Sequence, residues 1–93
     1  MYTLIRKHSS DMHPSVIDTN KTKGRVCMIA RGEIADLHRR FPNSDDYVLT
    51  TIDTNMGNNV VWANRFVAYK PDNTIFFTVT FYVEKTTGKD NSA

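Results

Sequence analysis

Apolar side chains recur at nearly every second position through residues 60–70 and again through residues 74–85, which predicts two long β-strands. The segment Lys70-Pro71-Asp72-Asn73 joins them. Proline at the second turn position and Asp at the third suit a type I turn, and Asn73 can adopt the left-handed conformation that closes a three-residue hairpin loop.

The rest of the chain is patterned more weakly. Residues 2–7 read as a short first strand. Residues 25–31 form an apolar run, Val26-Cys27-Met28-Ile29-Ala30, bounded by arginines, and read as a strand covered on both faces. Between them residues 8–24 are polar, carry Pro14, Asn20 and Gly24, and predict a long loop. The helix is expected at residues 33–41. There Ile34, Leu37 and Phe41 make one apolar stripe, acids open the segment, Arg39 and Arg40 close it, and Pro42 stops it. Residues 47–54 predict another strand, and Met56-Gly57-Asn58-Asn59 a turn.

These elements imply an α+β fold. Its order is β-β-α-β-β-β, an antiparallel-rich sheet with one short helix packed on one face. Residues 1–85 would form a single domain and residues 86–93 a frayed tail.

Because side chains alternate along a strand, the hairpin turn also predicts two faces. An unbroken register places Tyr69, Val67, Arg65, Ala63 and Val61 with Ile75, Phe77, Val79, Phe81 and Val83. That is the core face, with Arg65 as its one charged member, for which a carboxylate such as Asp53 is the expected partner. The other face would carry Trp62, Phe66, Phe76 and Tyr82 interleaved with Asn64. One helix covers one face of a sheet, so these rings are expected to be exposed or covered by something outside the sandwich.

Composition narrows the picture without changing it. The chain has 93 residues, 40% hydrophobic and 24% charged, the balance of a single globular domain. Cys27 is the one cysteine, so no internal disulfide is possible and a reducing, cytoplasmic setting is expected. No apolar run reaches membrane-span length, and residues 1–7 lack the long apolar core of a signal peptide. Thr and Asn are abundant, at 11 and 8 copies, and favour strand surfaces and turns over helix interiors. Residues 1–31 carry six basic side chains against Asp11 and Asp18, which suits a nucleic-acid backbone, an acidic protein or a plain solvated surface.

Reaction chemistry finds little purchase. The four glycines are scattered and begin no phosphate-binding loop. His8, His13, His38 and Cys27 show no metal-ligand spacing, and no cofactor is expected. Cys27 reads as a small buried hydrophobe, and Asp45-Asp46 as turn residues. In size and Asn/Thr-rich style the chain resembles short accessory proteins of large bacterial viruses, which implies stoichiometric binding to a host macromolecule.

The sequence therefore predicts a small, non-enzymatic binding protein whose contact residues are Trp62, Phe66, Phe76, Tyr82 and Asn64. The partner is a protein, the chain is expected to form a homo-oligomer, a homodimer first of all, and the 8–24 loop is expected to share in the contact. The alternative is a nucleic-acid binder that adds Arg25, Arg31, Arg39 and Arg40 to the ring face.

Overall fold

The computed structural model describes residues 1–50 and 59–86. The elements are β1 (Tyr2–His8), β2 (Ser15–Asn20), α1 (Lys23–Arg40), β3 (Ser44–Val48), β4 (Val60–Tyr69) and β5 (Ile75–Lys85). The strands form one antiparallel sheet in the order β2-β1-β5-β4-β3, with α1 packed on one face. The α+β class and the order β-β-α-β-β-β are as the sequence implies.

The second strand, however, comes from other residues. Residues 25–31 are not a strand; they are the first half of α1. Val26, Cys27, Ala30 and Ile34 all lie on its buried side, with Leu37 continuing the stripe. A short apolar run fits a buried strand and a helix equally well, and here the helix continues through Gly32, which sits on the outer surface. The strand role falls instead to Ser15–Asn20, inside the expected loop, which folds back on β1 as a hairpin with an irregularity between Leu4 and Ile5. β3 begins three residues earlier than expected, at Ser44. The expected strand residues 51–54, most of the turn at 56–59, the Asp53 partner for Arg65 and tail residues 87–93 lie outside the described residues. Thr86 itself is held: its N–H donates to Met1 O at 2.9 Å, and the N-terminal ammonium donates to Thr86 O at 3.1 Å.

The β4–β5 turn forms as the sequence predicts. Asn73 has φ 67°, its N–H donates to Lys70 O at 2.8 Å, and Lys70 N–H donates to Thr74 O at 2.8 Å. Beyond it the expected register breaks. Tyr69 pairs with Ile75, but Ala68 pairs with Phe77, so Phe76 is an extra residue in a β-bulge. The shift holds until a second irregularity at Val61 cancels it, and Val60 again faces Glu84.

One residue of offset turns β4 over relative to β5. The helix side now carries Trp62, Phe66 and Ala68 with Phe77, Val79, Phe81 and Val83, joined by Leu4 from β1. In the β5 half of the predicted core face Phe77, Val79, Phe81 and Val83 face the helix as expected, Ile75 is instead 60% exposed, and the β4 half is exchanged. Physically the bulge removes Arg65 from the core. An unbroken ladder would bury its guanidinium beneath α1, at a cost of several kcal/mol without a partner. Instead Arg65 lies on the opposite face, between Tyr47 and Thr80, and its Nε–H donates to Thr80 Oγ1 at 3.0 Å. That face has its own small cluster of Ile5, Leu49, Val60, Ala63 and Tyr82.

Candidate binding surface

The five residues expected to share an exposed face are dispersed by this register. Phe66 is fully buried under α1. Asn64 lies on the same side, 8% exposed, and its Oδ1 has no hydrogen-bond partner. Trp62 packs half-buried against the helix-side core. Tyr82 points the other way and is 9% exposed, with its phenol pKa raised by burial first and by Glu84 second. Of the five only Phe76 is largely exposed, at 57%. The expected continuous ring face does not exist, because its rings belong to two opposed faces of the sheet.

A different apolar surface is present at the end of the sandwich where α1, β1 and the β4–β5 turn meet. The bulge leaves the Phe76 ring outside the ladder's alternation, where it packs at 5.1 Å from Phe77 and 6.5 Å from Phe41. Phe41, at the C-cap of α1, stands edge-on to Phe77 at 4.9 Å. Phe77 also stacks on His8 at 4.8 Å with the planes 18° apart, and lies 6.1 Å from the buried Phe66. A chain of rings thus runs from the core to the surface. Ile75, 60% exposed, stands beside it.

Two shallow grooves flank the Phe41–Phe76 ridge. The first, of about 520 Å³, is lined by His8, Ser9, Ser10, Leu37, Phe41, Phe76 and Phe77. The second, of about 490 Å³, is lined by Arg40, Phe41, Pro42, Asn43, Tyr69, Lys70, Pro71 and Phe76, so its apolar floor has a cationic rim. Sequence reasoning missed Phe41, Phe77 and Lys70 as surface partners of Phe76. Only the bulge brings them together, and nothing in the residue pattern announced it.

A polar constellation was missed as well. His38, in the last turn of α1, lies on β3's helix side between alternate residues: its Nδ1 is 2.7 Å from Ser44 Oγ and its Nε2 is 2.6 Å from Asp46 Oδ2. A Ser, a His and an Asp in contact invite comparison with a nucleophilic triad. Here the Ser44 hydroxyl donates its proton to the Phe41 carbonyl, so the oxygen is tied to the end of the helix. The chemistry this arrangement performs is attachment: it joins the last turn of α1 to β3 and holds Phe41 in place. Among the described residues no group of His, Cys, Asp or Glu is placed to hold a metal ion.

The four arginines of the nucleic-acid alternative all lie on α1 and are exposed, with Arg31 at a groove shared with Asp46 and Asn64 and Arg40 at the second groove beside the end patch. Arg39 and Arg40 grip Asp36 at 2.8 and 3.0 Å. The Arg39 hydrogen bond, and then the charge of Arg40, hold the Asp36 carboxyl below its ordinary pKa. Arg25 and Arg31 have no acidic partner among the described residues. Phe66 lies buried beneath the same helix, and of the joint surface that alternative assumed only Arg40 and Phe76 come together, in one groove.

Fold and surface together define a small antiparallel α+β protein with an apolar end patch, and no helix among the described residues is long and apolar enough to cross a membrane. No protein-family model, curated protein or solved structure matches the chain.

Proposed function

We propose that this chain is a small, non-enzymatic binding protein that docks a protein partner on the Phe76 end patch. The observation that carries the reading is the Phe76 bulge: a large ring is held 57% exposed beside Ile75, while its inner edge is locked against Phe41 and Phe77. An aromatic anchor prepositioned over grooves, with polar groups at the rim, is the arrangement that concentrates binding energy at protein interfaces. Lys70 at the rim of the second groove selects the partner's chemistry. The segment it accepts carries apolar side chains next to a carboxylate.

Selection of a displayed random-peptide library against wild type and Phe76→Ser tests this. Enrichment of apolar-acidic peptides on wild type, lost on the variant, supports the reading; no enrichment, or equal enrichment on both, overturns it. Sedimentation velocity over a concentration series identifies one special case. A dimer that Phe76→Ser dissolves makes the partner a second copy of this chain.

A further inference from the structure

We infer that the outward face of the N-terminal half of α1 is a contact surface for the phosphate backbone of nucleic acid, separate from the end patch. Residues 21–32 contain no acidic side chain. Lys21, Lys23, Arg25 and Arg31 are all exposed there, and none has an acidic partner among the described residues. Elsewhere on the helix side the cations are answered: Arg39 and Arg40 by Asp36, and Arg6 by Glu33 at 3.6 Å. The positive charge left over is therefore concentrated at one end of α1.

The shape suits an extended polyanion. Arg25, Met28 and Arg31 follow at three-residue spacing, a row that winds about 120° around the helix and ends with Arg31 at the groove it shares with His38 and Asp46. The two guanidiniums emerge about 9 Å apart along the axis, at about 1.5 Å of rise per residue. Between them Met28 is 65% exposed, and beside them Gly32 has nothing within 4 Å of where a Cβ would lie, so no bulky side chain shields the row there. No acid occupies the first turn of α1, so the positive end of the helix dipole adds to the same field. Guanidinium pairs on a rigid helix match phosphate oxygens in geometry as well as charge.

Fluorescence anisotropy with a labelled DNA duplex and the matching single strand, at several salt concentrations, tests the inference. Four cations predict that log affinity falls against log salt with a slope of no more than about −3.6 for duplex, shallower for single strand. Arg25→Gln/Arg31→Gln should weaken binding about tenfold or more and make the slope shallower by about 2. The control Lys7→Gln/Arg39→Gln removes the same charge from elsewhere and should leave both nearly unchanged. Binding by either strand form with this dependence supports the inference and says which form is preferred. No binding at low salt overturns it, as does an equal loss in both double variants, which would make binding a matter of total charge. Competition by polyglutamate at equal charge concentration also overturns it, because the surface would then be one for acidic protein.

Discussion

The Phe41 ring stands edge-on to Phe77, centroids 4.9 Å apart and planes at 82°. This contact fastens the end of α1 to β5 at the base of the exposed Phe76. Phe77 and Phe76 are adjacent in sequence, yet the fold gives them opposite tasks. Phe77→Ala removes a ring that touches Phe41, Phe66 and His8. It is expected to cost about 2–4 kcal/mol, somewhat less than a fully buried Phe. Phe76→Ser should cost less than about 1 kcal/mol, since most of its ring is already in water. Urea denaturation of the two variants checks the contrast.

Gly32 lies in mid-helix with open space around it. Gly32→Ala removes the backbone-entropy penalty of glycine without a clash. It is expected to stabilise the fold by about 0.5–1 kcal/mol, seen as a rise of roughly 2–8 °C in Tm.

Ser44 Oγ accepts from His38 Nδ1–H while its own proton is donated to the Phe41 carbonyl. Ser44→Ala strips a partner from both. A loss of about 1–2 kcal/mol is expected, together with faster amide exchange at Phe41, whose N–H closes the helix on Leu37 O at 2.8 Å. Hydrogen exchange resolved by residue reads both effects.

Asn64 presents a buried carbonyl oxygen without a hydrogen-bond partner, at a groove it shares with Arg31, Ile34, His38 and Asp46. Asn64→Leu keeps the shape and removes the orphaned acceptor. It should be neutral or stabilising, by up to about 1–2 kcal/mol, whereas a polar role in binding would appear as lost affinity with stability retained. Thermal denaturation and the peptide-selection assay separate the two.

Stability should fall at both ends of the pH scale, for different reasons. Asp36 is held below its ordinary value by Arg39 and Arg40, and Asp72 by the Thr74 hydroxyl and N–H. A carboxyl depressed in the folded state contributes stability that is present above its unfolded pKa and lost as pH falls through its folded one. Tyr69 is raised by burial and then by Asp45, and Tyr82 by burial and then by Glu84. Their contribution is present below the unfolded tyrosine pKa and lost as pH climbs toward the folded values. Asp36→Asn should flatten the acid limb of a urea-midpoint profile, and Tyr82→Phe should remove a late-ionising tyrosinate from the absorbance titration.

Local chemistry was sufficient, in the sequence alone, for the α+β class, the hairpin at Lys70–Asn73, the β5 core residues Phe77, Val79, Phe81 and Val83, and the stop at Pro42. Turn residues and strict alternation act over a few neighbours, so they can be read without knowing what lies opposite. Three decisions belonged to the tertiary structure. Val26-Cys27-Met28-Ile29-Ala30 is apolar enough for a strand or a helix, and became helix because it continues the Ile34–Leu37 stripe over the sheet. Ser15–Asn20 became a strand only because β1 offered it an edge. The bulge at Phe76 was set by the competition between keeping an unbroken ladder and keeping the Arg65 charge out of the core. That last choice displaced the candidate site. It buried Phe66 beneath α1, left Tyr82 on the face away from the helix where alternation along β5 had placed it, and put Phe76 outside the ladder, because a one-residue slip of β4 against β5 reverses which β4 side chains meet the core.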